Sequence, residues 1–452
     1  MAQKVTPRIL SGFMELLPEE QLVFDRMKQI IANTYESFGF VALDTPVLEL
    51  SEILLAKAGG ETEKQIYRFT KGDTDMCMRF DLTVPLSRYV AQHQNELAFP
   101  FRRYQISKSY RGERPQRGRF REFYQADIDI VGSEKLSILY DAEIPSIIYR
   151  VLTKLGLKRF HIRMNNRKLL QGFYEHIGLS EQSAEILRII DKTDKIGEDN
   201  VRLCLSDLGI NADLITRVLS FAQIKGSVAE VLSQLGALDI DNATYQLGLS
   251  ELRMVTNALN SMGVPETNFL IDLRITRGLD YYTGTVYETF ADDFPSWGSI
   301  CSGGRYDNLA GFYTDRKLPG VGMSIGLTRF FDVLKAQGLL NMGPKTPASV
   351  LVIPMSEKES SLALQIGQIL RQDGIKTDVL GSDTKFKNKM VYANKLGVPY
   401  VVILGESEMQ NQTAVLKDMA RGEQQTVALD KLAPAIRLLQ NLEPLLPVIK
   451  DC

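Results

Sequence analysis

Residues 102–129 contain Arg102-Arg103-Tyr104, then Tyr110-Arg111-Gly112-Glu113-Arg114, then Arg119-Phe120-Arg121-Glu122-Phe123-Tyr124-Gln125, with Asp127 and Asp129 beyond. This stretch decides the fold. It predicts two strands joined by a short basic loop. Alternation along the strands sends Arg111, Glu113 and Phe123 to one face. Such a face suits a nucleotide, because arginine pairs with two phosphate oxygens at once and a ring covers the base. The alternative is a charged surface hairpin, which is the commoner role for any single arginine.

Size and composition indicate a multidomain globular protein. The chain has 452 residues, and a single core stops growing near 250–300 residues. Fifty-three basic against 55 acidic residues give a formal net charge of −2, so a polyanionic partner must bind to a local patch.

The few cysteines and histidines exclude several kinds of site. The four cysteines are scattered and the three histidines lie far from them, so no zinc site and no disulfide framework is predicted. Scarce histidine argues against a Ser-His or Cys-His nucleophile, and the chemistry must rest on arginine, carboxylate and bound metal. Unpaired cysteines and the lack of a long apolar stretch favour a cytoplasmic protein without a membrane contact.

Periodicity divides the chain into a core, an insertion and a C-terminal domain. Residues 1–179 and 263–340 predict an α+β core, whose first helix, 19–38, precedes a strand that contains Pro46. Strand signals vanish over 180–262, which predicts an all-helical insertion. A linker at 341–348 leads to strand–helix alternation over 349–452, typical of an α/β domain.

Several short motifs can be interpreted either as part of a functional site or as purely structural. Asp81-Leu82-Thr83 offers a carboxylate and a hydroxyl to an ammonium group, but a helix cap explains it equally well. The run Arg277 to Gly284 combines a cation, an acid and two tyrosines, which core packing also permits. Gly320 to Arg329 is no Walker sequence, and a strand packed on a helix with Arg329 at the helix start is the better interpretation.

A cluster of lysines marks the C-terminal domain. Lys385 and Lys389 lie on or beside a predicted helix with Phe386 and Tyr392. A charged helix usually faces water, yet lysines beside rings also suit single-stranded RNA.

Taken together, these motifs resemble the histidyl-tRNA synthetases, a family of class II aminoacyl-tRNA synthetases, over essentially the whole chain. The helix before Pro46 resembles motif 1, Tyr110 to Phe123 motif 2, and Gly320 to Arg329 motif 3. The histidine-specific signature is Arg277-Gly278-Leu279-Asp280-Tyr281-Tyr282, with Gly303-Gly304-Arg305-Tyr306-Asp307 and Arg79 to Thr83. The start of the chain departs from the Gly-x-x-Asp-x-x-Pro run usual in the family.

The resemblance implies a class II antiparallel sheet flanked by helices, a homodimer through motif 1 and a C-terminal anticodon-binding domain. It implies activation of L-histidine by ATP with Mg²⁺, then transfer to the 3′ end of tRNA(His). It assigns catalysis to Arg111 and Arg277. Histidine binding is implied for Asp81, Thr83, Arg111, Gln125, Asp129, Arg277, Tyr281 and Tyr282, ATP binding for Arg111, Glu113, Arg119, Phe123 and Arg329. Lys385 and Lys389 are expected to contact tRNA.

Two rival functions stay open on sequence alone. A regulatory subunit of ATP phosphoribosyltransferase shares the catalytic fold but senses histidine, and generally lacks the anticodon domain. The second rival is a tRNA-binding protein of another amino-acid specificity. Histidine-dependent exchange of pyrophosphate into ATP separates both from a histidine-activating enzyme.

Overall fold

The computed structural model describes residues 4–56, 61–116, 118–275, 282–441 and 447–450. The chain divides into two compact units. The first holds residues 4–14 and Lys28–Leu339, and the second holds Glu15–Met27 and Leu340–Lys450.

The strands, in chain order, are β1 (Val41–Ala42), β2 (Leu48–Leu50), β3 (Arg68–Lys71), β4 (Thr74–Met78), β5 (Phe101–Tyr110), β6 (Glu122–Val131), β7 (Phe160–Asn166), β8 (Phe269–Ile271), β9 (Thr285–Ala291), β10 (Cys301–Tyr306), β11 (Gly320–Ile325), β12 (Val350–Pro354), β13 (Thr377–Val379), β14 (Tyr400–Leu404), β15 (Thr413–Asp418) and β16 (Gln424–Ala428).

The helices, in chain order, are α1 (Pro18–Ser37), α2 (Ser51–Leu55), α3 (Glu61–Lys64), α4 (Thr83–Gln92), α5 (Tyr140–Leu155), α6 (Arg167–His176), α7 (Ser183–Ile190), α8 (Thr193–Ile196), α9 (Glu198–Asp207), α10 (Ala212–Ala222), α11 (Val228–Gly236), α12 (Ala243–Ser261), α13 (Leu327–Ala336), α14 (Ser360–Gln372), α15 (Phe386–Leu396), α16 (Glu406–Asn411) and α17 (Leu432–Asn441). Single 3₁₀ turns lie at Glu266–Asn268, Pro295–Trp297, Leu309–Phe312, Glu357–Glu359 and Leu429–Lys431.

A large sheet is the centre of the first unit. Its strands, within the described residues, run in the order β1-β5-β6-β11-β10-β9-β7-β8. The pairings are antiparallel except at the two edges, where β1 pairs with β5 and β7 with β8 in parallel. The predicted α+β core, an antiparallel sheet flanked by helices, is confirmed with this qualification.

The predicted hairpin is β5 and β6, paired from Phe101 with Val131 to Tyr110 with Glu122. Alternation gives β6 two different faces. Ala126, Ile128 and Ile130 are fully buried on one of them. On this face the Tyr35 hydroxyl of α1 donates to the Ala126 carbonyl. The opposite face presents Gln125, Asp127 and Asp129.

The strand predicted around Pro46 is interrupted. Only Val41–Ala42 and Leu48–Leu50 are extended strands, and they belong to different sheets. Each lies at the edge of its sheet, because proline cannot donate a hydrogen bond to a ladder. The predicted edge position is confirmed, and the predicted continuous strand is wrong.

Helices α7 to α12 occupy the segment predicted as an insertion. No strand falls within residues 180–262, all of whose backbone the structure describes. Gly197, Gly209 and Gly226 have positive φ between these helices, a region that glycine adopts without strain.

The second unit contains a sheet in the order β13-β12-β14-β15-β16. Its first three strands are parallel and the last two form an antiparallel hairpin. Ser356 and Glu359 make a capping box ahead of α14. The predicted linker begins with a backbone hydrogen bond from Asn341 to Val448, within this unit.

Candidate active site

One cavity of about 450 Å³ lies over the large sheet of the first unit. It is lined by the described residues that the sequence assigned to histidine or ATP, namely Asp81, Thr83, Arg111, Glu113, Arg119, Phe123, Gln125, Asp129, Tyr282 and Arg329. Arg277 and Tyr281 lie outside the described residues. Side chains from distant parts of the sequence therefore meet around a single space.

Asp129 lies on the sheet at the floor of this cavity and is only 3% exposed. Arg103 forms an ion pair with its Oδ2 at 2.8 Å, and the Tyr306 hydroxyl donates to its Oδ1 at 2.8 Å. Burial raises the pKa of Asp129, and the Arg103 guanidinium and Tyr306 hydroxyl oppose that rise. Both carboxylate oxygens are thus fixed in position, one by Arg103 of β5 and the other by Tyr306 of β10.

Glycines in β11 make room for these groups. A Cβ at Gly322 would clash with the Asp129 carboxylate, and one at Gly320 would clash with the Tyr306 ring. The glycine-rich run therefore serves close packing of side chains on the sheet. It continues into α13, whose first turn carries Arg329, so the prediction of a strand followed by a helix is confirmed.

Asp81 and Thr83 lie at the beginning of α4. Asp81 Oδ1 accepts a hydrogen bond from the Val84 amide at 3.1 Å, so the helix-cap interpretation is confirmed. The same carboxylate lines the cavity, and burial raises the pKa of Asp81 to about 6, opposed by the Val84 amide and by Arg111. Capping and ligand binding are therefore compatible here.

Gln125 is oriented by its neighbour on β11. Its Nε2 donates to Ser324 Oγ at 2.9 Å. Its Oε1 is buried and has no hydrogen-bond partner among the described residues. The amide consequently presents an acceptor to the cavity.

Arg111 and Phe123 form a flat surface at the mouth of the hairpin. The guanidinium carbon of Arg111 lies 5.1 Å from the centre of the Phe123 ring, and Arg111 Nε donates to the Phe80 carbonyl at 3.1 Å. Glu113 and Arg119 approach within 3.6 Å of each other. Cation, ring and carboxylate together provide groups for phosphate, purine and amino-group binding.

Arg329 closes another side of the cavity. Its Nη2 donates to the Trp297 carbonyl, and its side chain passes 3.5 Å from the position of a Cβ on Gly118. This contact brings the beginning of α13 next to the loop between β5 and β6.

Sequence reasoning assigned no role to Asp127, Tyr306 or Ser324, although all three line the cavity. Asp127 has the same strand period as Gln125 and Asp129, which could have indicated it. Tyr306 belongs to the Gly303 to Asp307 motif and Ser324 to the Gly320 to Arg329 run, but neither motif indicates their contacts, because only strand pairing brings them beside β6.

Arg305 stabilises the sheet from the face opposite to that of Tyr306. Its Nη2 lies 2.6 Å from Asp141 Oδ1 of α5, and it also donates to the carbonyls of Leu136 and Ser137. Asp141 also accepts from the Thr285 hydroxyl at 2.7 Å. Neighbouring residues of one sequence motif, Arg305 and Tyr306, therefore serve opposite faces of β10.

The structure separates the two lysines predicted to contact tRNA. Lys385 is exposed and precedes the first turn of α15. Lys389 is 3% exposed, and its Nζ donates to the Pro354 carbonyl at 2.7 Å. The prediction of a surface role for Lys389 is wrong, because its ammonium group is enclosed at the end of β12.

None of the described helices has the length and apolar character needed to cross a membrane.

Comparison with known proteins points to one family. Residues 12–330 match the family model of histidyl-tRNA synthetase, and residues 349–439 match that of an anticodon-binding domain. A histidine–tRNA ligase of Clostridium tetani is 51% identical, over 97% of this chain and 99% of the relative.

Solved structures agree in fold. A crystal structure of histidyl-tRNA synthetase from Nostoc sp. PCC 7120 superposes with a TM-score of 0.91 at 41% identity, covering 96% of this chain and 100% of that one. An ATP phosphoribosyltransferase regulatory subunit/histidyl-tRNA synthetase from Bacillus halodurans C reaches a TM-score of 0.73 at 19% identity, covering 86% and 97%. The second match shows the fold alone.

Proposed function

Because the chain belongs to the histidyl-tRNA synthetase family, we propose that the cavity of the first unit binds histidine and ATP side by side. The chain is a class II aminoacyl-tRNA synthetase, a histidine–tRNA ligase. The observation that carries the proposal is the meeting of the described predicted ligands around one space.

Histidine binds at the deep end of the cavity in this proposal. Asp81, Thr83 and Gln125 receive the ammonium group, while Asp129 and Tyr282 meet the imidazole. A neutral imidazole has one donor and one acceptor, so a buried acid and a hydroxyl satisfy both. A side chain that leaves them unpaired would be rejected by factors of about 10⁴ or more.

ATP binds at the outer end. Phe123 stacks on the purine, and Glu113 and Arg119 hold the adenosine. Arg111 contacts the α-phosphate and Arg329 the γ-phosphate. Support comes from the Arg111–Phe123 pair, which already places a guanidinium beside an aromatic face.

The activation step needs no general base from the protein. A histidine carboxylate oxygen, ionised at pH 7, attacks the α-phosphorus, and the bond to the bridging oxygen of pyrophosphate breaks. Arg111 and Arg277 hold the two anions in line and neutralise the charge that develops. In the second step a hydroxyl of the terminal tRNA ribose attacks the histidyl carbonyl, its proton passes to a phosphate oxygen of the adenylate, and AMP leaves as the ester forms.

Mg²⁺ accompanies ATP in this proposal. No group of three or more His, Cys, Asp or Glu side chains in the described part of the chain is arranged to hold a metal ion. Mg²⁺ commonly binds through substrate phosphates with few protein ligands, which fits a metal that arrives with ATP.

We propose a homodimer through motif 1 in the cytoplasm. Val41, Leu48, Leu50 and Phe69 are apolar yet 43–53% exposed on short edge strands of the first unit. Apolar edge strands of this kind are typical of surfaces that a partner covers. Cys77, Cys204 and Cys301 are free thiols, as in reducing compartments.

The second unit carries the proposed tRNA anticodon contact. Lys385 is the exposed member of the predicted pair and is the remaining candidate for a phosphate contact. The proposed domain boundaries stay those predicted, with a core at 1–179 and 263–340, an insertion at 180–262 and an anticodon-binding domain at 349–452.

Exchange of labelled pyrophosphate into ATP tests the proposal, with each of the twenty amino acids supplied in turn. Only histidine should support exchange. A histidine sensor would show no exchange at saturating histidine and Mg²⁺, and another specificity would appear as a different active amino acid.

Variants test the two arginines. Arg277→Ala should lower turnover far more than histidine affinity, because its role belongs to the transition state. Arg111→Ala should impair exchange likewise. Equal losses in turnover and in affinity would contradict these roles.

A further inference from the structure

Asp127 is a buried acid at the centre of the cavity wall. It lies on β6 between Gln125 and Asp129, on the same face, and is 2% exposed. It lines the cavity, and its Oδ1 has no hydrogen-bond partner among the described residues. An unpaired buried carboxylate oxygen is costly, so its presence beside a ligand cavity calls for a donor.

A hydrogen-bond relay connects Asp127 to Gln125. Gln125 Nε2 donates to Ser324 Oγ at 2.9 Å, and the Ser324 hydroxyl in turn donates to the Asp127 carboxylate. Because the hydroxyl proton is directed to Asp127, Ser324 accepts from Gln125. The Gln125 amide is thereby oriented with Oε1 unpaired, and Oδ1 of Asp127, which lines the same cavity, is unpaired as well.

The three buried acids of this wall outnumber the cations that face them, which are Arg103 and, beside Asp81, Arg111. Asp81, Asp127 and Asp129 are all buried, and the buried Arg103 is paired with Asp129 at 2.8 Å. The charge of Asp81 contributes to the raised pKa of Asp127, so the two carboxylates lie close enough to interact electrostatically. Burial raises the pKa of Asp127 to about 7, opposed by Arg103. A positive ligand group would relieve this repulsion.

We propose that Asp127 is a second carboxylate of the histidine ammonium site, which accepts a hydrogen bond from the substrate's α-ammonium group at Oδ1 and orients Gln125 through Ser324. This inference rests on the proposed function, since it takes histidine as the ligand. An ammonium group has three donors, and Asp127 adds a carboxylate acceptor to those of Asp81, Thr83 and Gln125 around the same part of the cavity. An imidazole is less suited, because it needs an acceptor and a donor on opposite sides of its ring.

Ligand analogues separate an ammonium contact from other roles. Histidinol retains the ammonium group and lacks the carboxylate, whereas imidazole-lactate has a hydroxyl in place of the ammonium group. Inhibition constants of both are measured in the exchange assay, beside the KM and kcat for histidine. Asp127→Asn preserves the shape of the side chain and removes its charge.

D127N should weaken histidine and histidinol about 10- to 100-fold, the range for a lost charge-assisted hydrogen bond, and imidazole-lactate less than about threefold. The kcat for histidine should change little, because the ammonium group does not react. Ser324→Ala should weaken the same two ligands to a smaller degree. Asp129→Asn is the matched control and should weaken all three.

Two outcomes would overturn the proposal. Equal weakening of all three ligands by D127N would show a role in imidazole binding or in the fold, and unchanged binding would show no contact. The fluorescence of Trp297, the single tryptophan of the chain, monitors folding of each variant in urea. Failure of the proposed function itself would appear differently, as a lack of histidine-dependent exchange by the unmodified protein.

Discussion

Replacing Gly322 by alanine should disable histidine recognition while the fold survives. A Cβ at this position would clash with the Asp129 carboxylate and would lie 2.5 Å from the Ile128 carbonyl oxygen, where real contacts stay above 3.0 Å. The carbonyl would have to retreat by about 0.5 Å, and the carboxylate by more. Overpacking of this kind costs about 1–3 kcal/mol of stability.

The functional cost is expected to be larger. Asp129 is fixed between Arg103 and Tyr306, so its displacement breaks hydrogen bonds on both oxygens. A misplacement near 1 Å reduces catalysis about 100-fold, or about 3 kcal/mol in the activation free energy. We therefore expect kcat/KM for histidine in pyrophosphate exchange to fall by that factor, with KM for ATP nearly unchanged.

Gly311→Ala is the matched control. No heavy atom lies within 4 Å of a Cβ built at Gly311, apart from those of its chain neighbours, and its φ is not positive, so both stability and exchange should stay at the level of the unmodified protein. The reasoning is refuted if Gly322→Ala retains kcat/KM for histidine within about threefold, since the position of Asp129 would then be irrelevant to recognition.

Three further predictions concern charge. Lys389 should react with an amine-acylating reagent at least about tenfold more slowly than Lys385, because its ammonium group is accessible only after local opening. Mass spectrometry of peptides from the labelled protein measures the two rates, and comparable rates would contradict the burial of Lys389. Arg305→Met should lower the free energy of unfolding of the first unit by about 3–5 kcal/mol, because Asp141 keeps a buried charge without its cation. Urea unfolding followed by Trp297 fluorescence measures the change. The double variant with Asp141→Asn should recover part of the lost stability, and no recovery would contradict the pairing. The Asp127 carboxyl has a higher pKa in the folded than in the unfolded chain, so the folded state binds more protons and this residue lowers stability as pH rises from about 4 to about 7. The gain in stability of D127N over the unmodified protein should therefore be larger at pH 8 than at pH 5. A difference independent of pH would show that Asp127 does not titrate in this range.

Local patterns were enough to predict much of the fold. The β5–β6 hairpin followed from alternation around a basic loop, and the all-helical insertion from the loss of strand signals over 180–262. The strand around Pro46 was predicted as continuous, because its residues have strand propensity on both sides of the proline. Proline's missing donor outweighs that propensity, and the chain changes sheets instead.

Contacts set by register and by helix phase could not be predicted from local sequence. Arg103 was one of several arginines on a charged strand, and only its pairing opposite Asp129 makes it a buried counter-ion. Lys389 has the same spacing as an exposed lysine stripe, but it shares the buried side of α15 with Ala393. The candidate site was therefore found by residue type, and its internal hydrogen bonds required the strand order.

The bare glycines under the pocket also limit the routes by which such a protein could evolve a new amino-acid preference. The Tyr306 ring occupies the space above Gly320, and the Tyr282 ring lies at 3.0 Å from a Cβ placed on Gly304. A larger residue at Gly320 becomes tolerable only after the Tyr306 ring has been lost, and one at Gly304 would also meet the Thr285 carbonyl oxygen at 2.6 Å. The mutation that removes the aromatic ring would therefore have to come first. The intermediate protein would lose histidine binding before it could bind another amino acid.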